Sequence, residues 1–155
     1  MKAQKLERRQ LIKADIETTW EFFSNPSNLS VITPPHLDFE ITSTFPKKYM
    51  YPGQIITYKV KPLLGIPLNW MTEITQVEKP YFFIDEQRIG PYKLWHHQHH
   101  FDSVEDGTMM TDIVHYQISN WLLGGLSDLL IVKKQLRDIF DFRLDKVEEI
   151  FNSKN

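Results

Sequence analysis

The residues best suited to chemistry crowd one short segment. His96-His97-Gln98-His99-His100 places four of the six histidines in five positions. Side chains on a strand alternate between two faces. Trp95, His97, His99 and Phe101 then share one face, and His96, Gln98, His100 and Asp102 the other. The bulk of Trp95 and Phe101 marks the first face as inward and leaves His96 and His100 to solvent. Downstream, Glu105-Asp106-Gly107 contains an Asp-Gly pair, a strong hairpin signal. A two-residue turn at Glu105-Asp106 sets Phe101 against Met110, His99 against Asp112, His97 against Val114 and Trp95 against Tyr116. Asp112 then stands across from His99 and diagonal to His97. A three-residue turn would break this parity.

A carboxylate beside an imidazole favours the imidazolium, while burial opposes it. Such a group serves as a buried polar pair that fixes sheet register, or as a polar anchor in an apolar cavity. It also serves as an acid–base pair, with His97 or His99 oriented by Asp112. His-x-His with Asp can supply three metal ligands, but no further ligand is obvious in the sequence, so no metal is expected. Asp85 and Gln87 share a face with Phe83. They add polar groups to the interior if that face points in, and lie at the surface if Phe82 and Ile84 do. Trp70 either fills the core or lines a pocket. Arg143 falls within the apolar stripe of the last third, near Phe140. It either reaches solvent along its stem or pairs with an inward carboxylate such as Asp112 or Asp85. There is no Gly-rich phosphate loop, no Gly-x-Ser-x-Gly and no His-Glu-x-x-His, and no cofactor is expected.

These side chains need a scaffold. Leu6 to Ala14 reads as a strand. Asp15 can cap a helix carrying Ile16, Trp20 and Phe23 at helical spacing, with Glu17 in its first turn. Pro26 ends or kinks that helix, Asn28 to Ile32 suggests a second short one, and Pro34-Pro35 stops it. Alternation then predicts strands around Leu37-Phe39-Ile41, Ile56-Tyr58-Val60, Leu68-Trp70-Thr72-Ile74 and Tyr81–Arg88. The hairpin of Trp95–Val104 and Thr108–Ile118 follows. Pro52-Gly53, Lys79-Pro80 and Gly90-Pro91 mark turns, and Leu63 to Pro67 a connection. Leu122, Leu126, Leu129, Val132, Leu136, Phe140, Arg143, Val147 and Ile150 describe one long amphipathic helix, with Gly124-Gly125 a loose start. Strands followed by one long helix read as α+β.

The length of 155 residues fits a single domain spanning 1–155. The absence of cysteine excludes disulfides, thiolate metal sites and a cysteine nucleophile. A formal charge of −2 argues against a nucleic-acid partner held by phosphate contacts. The amino terminus lacks a signal-peptide pattern, and no apolar run approaches the ~18 residues that span a bilayer. A soluble cytoplasmic protein without stable membrane insertion is therefore expected. The 20 aromatic residues, among them 10 Phe, point to something wide and apolar being lined or filled. A curved sheet over one helix leaves an interior wedge for them.

Several motifs in order resemble those of the START-like, Bet v 1-like superfamily (SRPBCC, or polyketide cyclase/dehydrase-like). The nearest group is a set of small bacterial ligand-binding proteins sometimes labelled cell division inhibitors. The carrying residues are Ile12-Lys13-Ala14, Trp20-Glu21-Phe22-Phe23, Pro26, Asn28-Leu29 and Ile32-Thr33-Pro34. They continue through Leu64-Gly65-Ile66-Pro67-Leu68-Asn69-Trp70, Phe83-Ile84-Asp85-Glu86-Gln87, Gly90-Pro91-Tyr92 and Trp95 to Phe101. Gly107 to Asp112, Tyr116, Ile139-Phe140 and Arg143 complete the set. The resemblance implies a helix-grip fold, with a curved seven-stranded antiparallel sheet around a long C-terminal helix and two short helices after the first strand. It also implies a cavity for a hydrophobic small molecule such as a lipid, sterol or polyketide. Residues expected to line it from the strands are Trp70, Phe83, Asp85, Gln87, Trp95, His97, His99, Phe101, Met110, Asp112 and Tyr116. Phe140 and Arg143 join them from the helix. Gln117 to Trp121 departs from the Pro- and Gly-bearing segment of similar sequences, which often borders the cavity entrance. Binding, possible transport, a cyclase or dehydratase activity using His97 or His99 with Asp112, and a protein-interaction role in cell division are all compatible with this fold. The sequence does not set the oligomeric state.

Overall fold

A computed structural model describes residues 3–63, 66–119 and 126–153. The Leu64-Gly65 connection, Leu122, the Gly124-Gly125 helix start and the Asn120-Trp121 part of the entrance segment lie outside these residues. Seven strands form one antiparallel sheet. They are β1 (Gln4–Ile12), β2 (Glu40–Ile41), β3 (Gln54–Leu63), β4 (Ile66–Glu78), β5 (Phe82–Ile89), β6 (Tyr92–Val104) and β7 (Gly107–Ile118). Their order across the sheet is β1-β7-β6-β5-β4-β3-β2. Helix α1 (Ile16–Phe23) follows β1, and the long helix α2 (Leu126–Val147) follows β7 and continues into a looser turn at Glu148–Asn152. This is the helix-grip α+β architecture.

Local chemistry explains most boundaries. Asp15 caps α1, its carboxylate accepting from Thr18 N at 2.7 Å. The helix closes at Ser24, before Pro26, which opens a 3₁₀ turn over Pro26–Ser30. The second helical piece therefore starts two residues earlier than Asn28, because proline suits a first turn that needs no N–H. Pro35 likewise opens a third turn, Pro35–Leu37, which ends in Asp38 at φ 45°. That turn consumes half of the strand expected over Leu37, Phe39 and Ile41, leaving only Glu40–Ile41. β1 runs Gln4–Ile12 rather than Leu6 to Ala14, since Lys13 and Ala14 turn the chain toward the Asp15 cap.

The sheet bends through irregular pairing. Register shifts occur between Val60 and Leu63, between Met71 and Thr72, between Ile74 and Gln76, and between Tyr92 and Leu94. Each inserts local twist, and together they curl the β3–β6 part of the sheet. Val132, Leu136, Phe140 and Val147 form the buried stripe of α2. Two apolar clusters fill the grip. One surrounds Trp70, Tyr92, Val114 and Phe140; the other surrounds Trp20, Phe23, Phe83 and Phe101.

Candidate functional site

Two hairpins assemble the polar centre between these clusters. Val104 pairs with Gly107, so Glu105-Asp106 is a two-residue turn and His99 faces Asp112. On the other side of β6, Asp85 faces His97 and Phe83 faces His99. Each histidine therefore has one carboxylate opposite and a second on the diagonal. Phe83, not Phe82, marks the inward face of β5 and carries Asp85 in with it.

The four side chains are packed tightly. His97, His99 and Asp112 are 4%, 6% and 4% exposed. The two imidazoles lie 3.8 Å apart, centroid to centroid. His97 Nε2 lies 3.1 Å from Asp112 Oδ1, and His99 Nε2 lies 2.9 Å from Asp85 Oδ2. His97 Nδ1 is 3.5 Å from the same Asp85 oxygen. His99 Nδ1 lies 2.9 Å from Asp112 Oδ1 but off the line of a hydrogen bond, so that contact is electrostatic. Aromatic rings enclose the pair. Phe83 stacks on His99 at 4.1 Å, while Phe140 and Trp95 meet His97 edge-on at 5.5 and 6.1 Å.

Burial and charge act in opposition here. Burial favours protonated carboxyls, but His97 and His99 outweigh it at Asp112 and hold that carboxyl well below its ordinary range. Asp85 is lowered too, against its burial, by His97, His99 and the more distant Arg143. Burial and the charge of its neighbour push His97 down. For His99 the pull of Asp112 and Asp85 exceeds burial and raises it. The opposed directions favour a proton on His99 over one on His97.

The cluster opens on space. A cavity of about 100 Å³ is lined by Ile56, Tyr58, Thr72, Ile74, Phe83, Asp85, Trp95, His97, His99 and Arg143, together with Phe23, Leu29, Ile32 and Met50. A second cavity, of about 120 Å³, adjoins it through Leu29, Tyr58, Trp95 and Arg143 and includes Trp70, Tyr92 and Phe140. Tyr58 Oη and Thr72 Oγ1 form a 3.0 Å hydrogen bond in the first cavity, and burial raises the Tyr58 phenol.

Of the residues expected to line a cavity, Trp70, Phe83, Asp85, Trp95, His97, His99, Phe140 and Arg143 do so. Asp112 sits behind the histidines. Phe101 and Met110 belong to the packed cluster under Trp20. Tyr116 packs against Tyr92 and borders a separate cavity with Gln4, Leu6, Arg8, Lys133 and Arg137 rather than these two. Gln87 is corrected to a structural role: its amide nitrogen donates to Tyr92 O at 2.7 Å and its amide oxygen accepts from Tyr92 N at 3.2 Å. Arg143 makes no ion pair with Asp112 or Asp85; its guanidinium lies over the Phe140 ring at 5.0 Å, and Nε is buried without a hydrogen-bond partner. His96 and His100 point outward as expected but are half-buried, His96 bonding Glu86 at 2.9 Å and His100 bonding Gln98 at 3.0 Å. Tyr58, Thr72 and the Leu29–Ile32 turn were absent from the expected lining. Tyr58 and Thr72 share inward faces with Ile56 and Trp70, a signal that alternation did carry.

No family model matches the sequence, and no curated protein matches it. Solved structures do. The chain resembles protein Ms6760 from Mycobacterium smegmatis at 16% identity, with 97% of this chain and 96% of that one covered and a TM-score of 0.68. Protein CV1439 from Chromobacterium violaceum aligns at 10% identity over 97% and 99%, TM-score 0.71. Major latex-like protein 151 from Panax ginseng aligns at 16% over 90% and 95%, TM-score 0.59. At these identities the likeness is one of fold, and that fold is the helix grip. Among the described residues no helix is long and apolar enough to cross a membrane.

Proposed function

We propose that this protein binds a small hydrophobic molecule bearing one polar end in the paired cavities between the sheet and α2. The observation that carries this reading is the lining itself: apolar and aromatic walls that include a few polar groups, Tyr58, Thr72, Asp85, His97, His99 and Arg143. Ligand pockets commonly have this composition. The volumes limit the guest. An apolar cavity of about 150 Å³ accepts benzene, so the adjoining spaces of about 100 and 120 Å³ suit one or two fused rings or a short acyl chain. A sterol or long lipid requires the helix and sheet to part.

Calorimetric titration with 1-naphthol tests the reading. Saturable one-to-one binding is expected. Ile74→Phe, which places a ring in the first cavity, should abolish it while the far-ultraviolet dichroism stays native. Equal weak heats from both proteins would remove the cavity as a binding site.

One observation favours a catalytic use. Two adjacent histidines facing the cavity have their proton affinities pushed in opposite directions, the usual mark of a paired acid and base. For a cyclase or dehydratase, His99→Ala would abolish turnover and leave guest affinity nearly intact.

A further inference from the structure

Three donors on adjacent strands converge at the cavity floor. Ligand atoms of Asp85, His97 and His99 all lie within 4.8 Å of one another. His99 Nε2 and His97 Nδ1 are 2.9 and 3.5 Å from Asp85 Oδ2. Ligands held about 2.0–2.1 Å from one ion are separated by roughly 2.9 Å at right angles and about 3.4 Å at the tetrahedral angle. Both separations match that span.

The other nitrogens strengthen the pattern. His97 Nε2 and His99 Nδ1 both approach one oxygen, Asp112 Oδ1, at 3.1 and 2.9 Å. A carboxylate behind a histidine holds the proton on the far nitrogen and aims the lone pair of the near one. Asp112 does this for His97 through a hydrogen bond and acts on His99 through charge alone, and both near nitrogens, His97 Nδ1 and His99 Nε2, face Asp85. When His99 carries a proton on Nε2 it donates to Asp85 Oδ2 at 2.9 Å, and a metal ion would take the place of that proton. Asp85 is the further ligand that the hairpin sequence did not reveal, because it comes from a different strand.

We propose that Asp85, His97 and His99 form a site for a first-row divalent transition-metal ion, with Asp112 orienting His97 and acting on His99 through charge, and the cavity side open to water or to the polar end of a guest. Two imidazoles and one carboxylate favour zinc, cobalt, nickel or iron over magnesium and calcium. Asp85 and Asp112 balance the dication. Three protein ligands plus an open position is the arrangement of a reactive rather than a purely structural ion. The site does not depend on the cavity taking an apolar guest, and metal titration and naphthol titration report on the two separately.

The test uses the full chain stripped with dipicolinate and titrated with Co²⁺ while visible absorption is recorded, followed by displacement with Zn²⁺. One-to-one binding with a ligand-field band between about 500 and 650 nm is expected from low-coordinate cobalt with nitrogen and oxygen donors. Asp85→Asn and His97→Gln should each weaken binding at least 100-fold. Asp112→Asn should weaken it about 10- to 100-fold and shift the band, as loss of an orienting carboxylate does. His96→Gln with His100→Gln, on the outward face, should bind as the unaltered protein. If His97→Gln does not fold, Asp85→Asn decides. The proposal is overturned if the stripped protein gives no one-to-one cobalt band, or if the outward-face variant loses binding as severely as Asp85→Asn.

Discussion

His99 and His97 differ by two positions and face the same carboxylates, yet the fold pushes them apart. The reason is placement. His99 sits directly opposite Asp112 and 2.9 Å from Asp85, whereas His97 is farther from both and bears the repulsion of a charged neighbour. This fixes a pH dependence for the metal-free protein. His99 is raised in the fold, so its stabilisation is complete below the unfolded value near ~6.5 and is lost as pH rises through the folded value. His97 is lowered, so its contribution is complete above ~6.5 and fades as pH falls toward its folded value. Asp85 and Asp112 are lowered and add a further loss in acid, below the ordinary carboxylate range near ~4. Thermal melts in chelator should therefore peak near pH ~6.5. His99→Gln should flatten the alkaline limb; an alkaline limb already flat in the unaltered protein would refute the assignment. Asp112→Ala should cost about 3–5 kcal/mol by urea unfolding, because it leaves buried histidine charge without its nearest partner. Asp112 was legible in the sequence through the two-residue turn. Asp85 was not. A two-residue turn at Gly90-Pro91 would set Asp85 against His96, on the outward face. The real pairing, Asp85 with His97, arises because the β5–β6 ladder closes at Glu86 and His96 rather than at the Gly90-Pro91 turn, so an odd number of residues lies between the last paired positions.

At the scale of elements, the β6–β7 hairpin is the part the site depends on most. Its turn must hold two residues, since one more would break the parity that puts Asp112 on the same face as His97 and His99. Gly107 makes this possible. Its φ is 139°, and a Cβ there would lie 2.2 Å from the carbonyl oxygen of Ile12 on β1. The hairpin tip is thus pressed against the end of the first strand, where Thr108 Oγ1 also donates to Ala14 O at 2.9 Å. Gly107→Ala should destabilise by roughly 1–3 kcal/mol in urea through strain and clash together. An unaltered midpoint would mean that the strand end yields freely. The strands with clear alternation, the Asp15 cap and the apolar stripe of α2 were all readable from spacing. What was not readable followed from proline. Pro26 and Pro35 look like stops in sequence, yet each begins a turn. The position of a proline relative to the residues it joins, more than its presence, decides which of the two it does. The bulges in β3, β4, β5 and β6 left no signature either, because a bulge changes pairing without changing composition.

Across the whole molecule, helix α2 is secured on one side and left open on the other. Arg8 on β1 grips Asp141 through Nε at 3.1 Å and a terminal nitrogen at 2.9 Å. Gln10 donates to Leu144 O, Asn152 donates to Leu11 O, and Lys13 N donates to Asn152, each at 2.8–2.9 Å. These polar ties run along β1. The bulged strands β3 to β5 lie toward the opposite side of the sheet and supply much of the lining of the first cavity. Phe140 stands at the junction, touching His97, Arg143 and the second cavity. Truncating it tests whether the gap is a tolerated void or a space kept for a guest. Phe140→Ala should cost about 3–5 kcal/mol, since a buried ring is lost and the surroundings refill only in part. It should also enlarge the space next to the polar centre. A bicyclic guest such as 1-naphthol would then bind at least as tightly as before, and at one hundred times its dissociation constant would restore about 2.7 kcal/mol. Urea unfolding with and without 1-naphthol measures both quantities. If the variant loses stability and gains nothing from the guest, the helix side of the gap is packing alone, and binding must be confined to the first cavity.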